Sequence, residues 1–190
     1  MMKSAALVIA SAIALSACAN LGLGNTPPPA AASPAPTWKD AEANEFIPAN
    51  QRAANVLITN AASRIDPSRP LIIATLANIN FLEESSAFGR IIAEHVSGEF
   101  TRQQYKMVEM KFRDKVFMKQ NVGELLLTRE IRDVAQNHSA QAVIVGTYAE
   151  SDKLVYVNLK LVKPSDNTVI SSVDYAVPMD KNTKALLGRR

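Results

Sequence analysis

The sequence predicts an α/β (α+β) sandwich, in which a mixed sheet of about five strands packs with about three helices and ends in a β-hairpin. Three features carry that reading. Leu71–Ala77 and Ala142–Tyr148 are continuous apolar runs, the pattern of strands buried on both faces. Apolar residues at helical spacing precede and separate them. Leu154 to Val162 and Thr168 to Val177 then close the chain as two strands, joined by Lys163-Pro164-Ser165-Asp166-Asn167, which is rich in turn residues.

The folded region is expected to begin near Phe46-Ile47-Pro48. Ala53, Val56, Leu57, Asn60, Ala61 and Ile65 recur at helical spacing, and Asp66-Pro67 stops that helix. The first buried strand follows. Ser85-Ser86 then caps a second helix with Phe88, Ile91, Ile92, Val96 and Phe100 inward. Lys106 to Phe112 alternates, with Val108, Met110 and Phe112 on one face of a strand. Phe117 to Leu127 fits a short helix least clearly. Thr128 caps a firmer one through Ile131, Val134 and Ala135. In the hairpin, Val155, Val157, Leu159 and Leu161 share one face of the first strand.

The N-terminus sets the compartment. Met1-Met2-Lys3 is a short positive start, and Ala5 to Leu15 is an uncharged apolar run. As a helix the run would span ~16 Å, about half a hydrocarbon core, which suits a signal peptide and is too short for a stable span. Leu15-Ser16-Ala17-Cys18 directly follows and looks like a bacterial lipobox, with cleavage expected between Ala17 and Cys18 and lipid on Cys18. Ala19 after the cysteine, in place of the aspartate that retains lipoproteins at the inner membrane, implies the outer membrane with the domain facing the periplasm. Several acyl chains, each worth ~0.8 kcal/mol per buried methylene, would make that anchor effectively permanent.

Residues 18–47 then form the expected anchor and linker. Thr26 to Pro36 is uncharged and holds five of the ten prolines of the chain, so it can neither bury a core nor sustain a helix. The roughly thirty residues before Pro48 could reach ~90 Å in polyproline form, or ~30 Å as a flexible average. The expected organisation is therefore a signal peptide at 1–17, the linker, a domain at 48–178 and a basic, disordered tail at 179–190.

Composition excludes several chemistries. Cys18 is the only cysteine, so no disulfide forms within the chain and no cysteine cluster binds metal. The formal charge is +3, and Lys3 is the only charge in the signal segment, an excess too small to imply nucleic acid. The two histidines, His95 and His138, are far apart in sequence, and no Gly-x-Ser-x-Gly elbow occurs. His95 reads as a partly buried packing residue and His138 as a partner of a helix end. Glu83-Glu84 reads as a dipole partner of the helix that follows. No catalytic residue, metal site or cofactor is assigned, and no enzyme activity is expected.

Pro70 to Ala77, Ser86-Ala87-Phe88-Gly89-Arg90-Ile91-Ile92-Ala93-Glu94, Thr128-Arg129-Glu130-Ile131 and Ala142 to Tyr148, with the closing hairpin, resemble the FlgO domain of flagellar outer-membrane lipoproteins. The resemblance covers roughly Pro48 to Val177. It implies a fold similar to the N-terminal domain of TolB, to CsgG and to LpoB, and a binding or assembly role at the flagellar basal body that supports motility. Its implied partners are flagellar ring proteins or further copies of the chain.

Two segments are candidate contacts. Phe81 and Leu82 follow the first buried strand, where loops often carry function; they either meet a neighbour or tuck under the next helix. Lys111, Arg113 and Lys115, flanked by Lys106 and Lys119, would meet an anionic partner such as peptidoglycan carboxylates or the membrane surface, although Glu109 and Asp114 also suit a solvated face of mixed sign. Three classes of function follow: a structural lipoprotein of the flagellar base, an LpoB-like activator of peptidoglycan synthesis, and a periplasmic hydrolase. The short linker disfavours the second, and the missing acid or histidine cluster disfavours the third.

Overall fold

Asn44 starts the main helix by accepting the Phe46 N–H on its Oδ1 at 2.9 Å. Helix α2 (Phe46–Ala61) follows a short, exposed α1 (Trp38–Glu42). Pro48 sits in the first turn of α2, where an amide N–H has no intrahelical acceptor to lose. The computed structural model describes residues 35–82, 86–109 and 129–189; the compact unit begins at Trp38.

The buried face of α2 is Asn50, Ala53, Ala54, Leu57 and Ala61. Val56, expected on that face, is 41% exposed, and Asn50 takes a place in the core instead. The alanines let the helix approach both α3 (Ala87–Arg102) and the sheet closely. Ser86 caps α3 as expected, its Oγ accepting the Gly89 N–H at 3.1 Å. Phe88, Ile92, Val96 and Phe100 are all fully buried.

The sheet has β1 (Leu71–Ile73) and β2 (Ala77–Asn78) on one side of β3 (Ala142–Glu150), and β4 (Leu154–Val162) then β5 (Val169–Pro178) on the other. The first two pair with β3 in parallel, and the last three strands are antiparallel neighbours. The mixed sheet and closing hairpin agree with the fold class expected from sequence.

Two strand expectations need correction. The run at 71–77 is broken: Ile73 faces Ile144 but Ala77 faces Thr147, so one extra residue is inserted on its side. That bulge seats the fully buried Leu76 against Gly146 and Gly89, both too crowded for a Cβ. A Cβ on Gly89 would lie 2.3 Å from the Leu76 carbonyl oxygen, and one on Gly146 would lie 2.7 Å from Leu159 Cδ2. The Lys106–Phe112 segment forms only a parallel bridge, Leu71 with Met107, over its described part. Val108 packs on the far face of the sheet; Met110 and Phe112 lie outside the described residues, as do Phe117–Leu127 and Thr128.

The alternation of the strands divides the core. Leu71, Ile144, Tyr148, Val155, Val157, Leu159 and Leu161 face α2 and α3. Ile72, Val143, Val145 and Val162 face Val134 and Ala135 of α4 (Arg129–Asn137). Val162 falls on the second face by ordinary alternation after Leu161, and the register shift between them leaves Ile170 of β5 as an extra residue without a partner in β4.

Residues 179–189 do not form the expected disordered tail. Asp180 caps α5 (Lys181–Leu186) by accepting the Thr183 N–H at 2.7 Å. Thr183 is buried, and Leu186 and Leu187 pack on the main core. Reading the segment by its charge hid this cap and its apolar pair.

Candidate interaction site at the ends of the parallel strands

Asn78 organises the end of β2. Its Oδ1 accepts the Asn80 N–H at 2.9 Å, and its main-chain oxygen accepts the Phe81 N–H at 3.1 Å. The Ile79 N–H donates to the Tyr148 oxygen at 2.9 Å. These bonds fold a tight turn whose outer side chains, Ile79 and Phe81, remain 52% and 54% exposed. Leu82 is half-buried. Of the two contacts expected from sequence, Phe81 thus points outward. Ile79 lies in the same loop and also points outward, a contact that its apolar character alone does not distinguish from a core residue.

The same turn borders an open groove of about 510 Å³, lined in part by Asn78, Ser86, Arg90, Tyr148, Glu150 and Arg189. The Tyr148 hydroxyl bonds to Ser86 Oγ at 2.7 Å, and its ring meets Phe88 edge-on at 5.2 Å. Asn78 Nδ2 donates to Glu150 Oε1 at 2.9 Å. Arg189 donates from Nε to Glu150 Oε2 at 3.0 Å and from Nη2 to Oε1 at 3.3 Å.

Arg189 reaches that carboxylate because α5 ends in a Schellman turn. Gly188, at φ +76°, donates to the Ala185 oxygen, and Arg189 N donates to the Lys184 oxygen. A glycine after Leu186-Leu187, with a capping aspartate before Thr183, was the available signal for this helix.

The remaining candidates do not join this site. His95 lies on α3, where Asn50 meets its Nδ1 at 2.9 Å, and Phe46 packs edge-on to its ring at 5.6 Å. Burial holds its basicity below the ordinary histidine value; Glu94 opposes that shift and Arg102 adds to it. His138 follows α4, its N–H bonded to the Val134 oxygen at 3.1 Å. Among the described residues no group of three or more His, Cys, Asp or Glu side chains could hold a metal ion. Ala17, Cys18, Glu83, Glu84, Lys111, Arg113 and Lys115 lie outside the described residues.

The family model of FlgO proteins matches residues 51–182. No curated protein matches the sequence. Among solved structures, the C-terminal domain of LpoB from Salmonella enterica superposes with a TM-score of 0.51 at 16% identity, over 67% of this chain and 93% of that one. LpoB from Escherichia coli superposes with a TM-score of 0.50 at 14% identity, over 93% of this chain and 82% of that one. At these identities the likeness establishes the fold.

Proposed function

The chain belongs to the FlgO family, and from that premise we propose that it is an outer-membrane lipoprotein, anchored through Cys18, which supports the flagellar basal body or its outer-membrane ring by protein–protein packing without catalysis. The observation that carries the packing role is the Asn78 turn, which holds Ile79 and Phe81 in solvent beside a groove edged by arginines. Exposed apolar side chains on a hydrogen-bonded turn with an arginine rim have the composition of a protein contact. The lipobox and the uncharged, proline-rich stretch Thr26 to Pro36 support attachment to the membrane on the periplasmic side.

The decisive experiment is crosslinking of the intact protein in a flagellated host, with mass spectrometry of its neighbours. Flagellar ring components, with links at the Ile79–Leu82 turn, are the expected result. A deletion strain should swim poorly or lose its flagellar base. Normal swimming with intact basal structures would refute the flagellar role, and links to cell-wall synthases would replace it with activation of peptidoglycan synthesis.

A further inference from the structure

Asn50 is a polar side chain with no exposure, placed on α2 where α3 and β5 meet it. Both ends of its amide are used. The Tyr175 hydroxyl donates to Oδ1 at 2.5 Å, and Nδ2 lies 2.9 Å from His95 Nδ1. The structure turns the amide oxygen to Tyr175 and the amide nitrogen to His95, and an amide NH2 can only donate. Nδ1 is then an acceptor, and the neutral ring carries its proton on Nε2.

We infer that the Asn50 amide is a two-position latch, turned over when His95 takes up a proton, and that its turning loosens α2 from α3 and β5. A proton on Nδ1 would place two donors face to face at their present 2.9 Å separation. Rotating the amide by half a turn restores a bond to His95 through Oδ1. The same rotation brings the NH2 group to Tyr175, whose oxygen must then accept and whose proton must leave its present acceptor. Burial makes that loss costly, because water does not replace the bond freely.

The groups around the imidazole bear on its titration in known directions. On α3, Glu94 favours the proton and Arg102 opposes it. From α2 the ring meets the Phe46 ring and the neutral Asn50 amide. From β5 Tyr175 reaches it through Asn50, and burial keeps that phenol protonated far above its ordinary range. Desolvation of the imidazole therefore sets the direction: the neutral ring and the present amide position are favoured near neutrality.

The consequence falls where the preceding chain enters the domain. Phe46, the first residue of α2, packs on both Phe88 and His95. Acid thus acts on the start of α2. The inference is independent of the flagellar role.

The test is NMR of the full chain in detergent, following the His95 ring nitrogens, the Asn50 side-chain amide and the Tyr175 ring as the pH is lowered. The expected result is an Nε2–H ring at neutrality and one shared transition at all three residues, with a midpoint below the ordinary ~6.5. Exchange in α2, taken relative to the intrinsic rate (which itself slows on acidification because it is base-catalysed), should rise by at most roughly tenfold per pH unit between the ordinary and the folded histidine values, the most that one linked proton supplies. His95→Gln retains an acceptor without a titratable ring and should lose both the shared transition and the acid-enhanced exchange. Titration of His95 with no response at Asn50 and Tyr175 would overturn the latch. So would equal acid-enhanced exchange in the variant; should the variant fail to fold, the three-residue titration of the native chain decides alone.

Discussion

Single side chains in this protein are constrained by very different neighbours. Gly89 leaves only enough space for the Leu76 carbonyl, so Gly89→Ala should cost about 1–3 kcal/mol in urea unfolding. Ser171 presents the opposite case. Its Oγ is buried with no hydrogen-bond partner among the described residues, so Ser171→Ala should leave stability unchanged or raise it by up to about 1 kcal/mol in the same measurement. Phe81 is tied to the fold through its main chain, and its side chain is more than half exposed. Phe81→Ser should change stability by less than about 0.5 kcal/mol while removing the partner crosslinks expected at the turn. A loss of stability comparable to that of Gly89→Ala would mean that the ring serves the fold.

At the scale of elements, β2 and α5 meet through side chains that come from distant parts of the chain. Asn78 from β2 and Arg189 beyond α5 both hold Glu150 at the end of β3. Helix α5 has six residues, too few to persist on intrinsic propensity, so it depends on its Asp180 cap, the Gly188 turn and Leu186-Leu187 packing. Asp180→Ala combined with Gly188→Ala should weaken it by about 2 kcal/mol, from a lost cap and a strained left-handed residue. Hydrogen exchange should accelerate in α5 while β3, β4 and β5 keep their protection; equal acceleration throughout would show that the helix is integral to the core.

The element boundaries also mark where local pattern was sufficient. The hairpin of β4 and β5 was legible because alternate residues meet one face, and Val155 to Leu161 bury as their period requires. The break between β1 and β2 was not legible. An apolar run has the same appearance with or without an inserted residue, and only the partner strand and the two glycines impose the bulge.

Across the whole molecule, pH links these features. The basicity of His95 is lowered in the fold, so the unfolded chain binds more protons at His95 around and below the ordinary histidine value. Its contribution is complete above that value and is lost as pH falls through it toward the folded one. Glu99 behaves similarly at lower pH. Burial raises its affinity for the proton, but bonds from Arg102, Gln103 and Asn55 outweigh that and hold it below the usual carboxylate range. Stability should therefore fall in two stages on acidification, the first near the histidine range and the second in the carboxylate range. His95→Gln should abolish the first stage alone, and urea midpoints measured at several pH values would show it.

The sequence alone discloses the sheet-and-helix class, the buried strand at Ala142–Tyr148, the closing hairpin and the Ser86 cap, because each follows from the spacing of apolar residues or from one capping side chain. It also carried the family, through segments spread along the domain. Packing, in contrast, settles that Phe81 faces solvent, that Asn78 and Arg189 share Glu150, and that Asn50 joins His95 to Tyr175. The last two depend on partners separated by 39 to 125 positions in the chain. Local periodicity records which way a side chain points relative to its own element, and packing alone brings the distant partner to it.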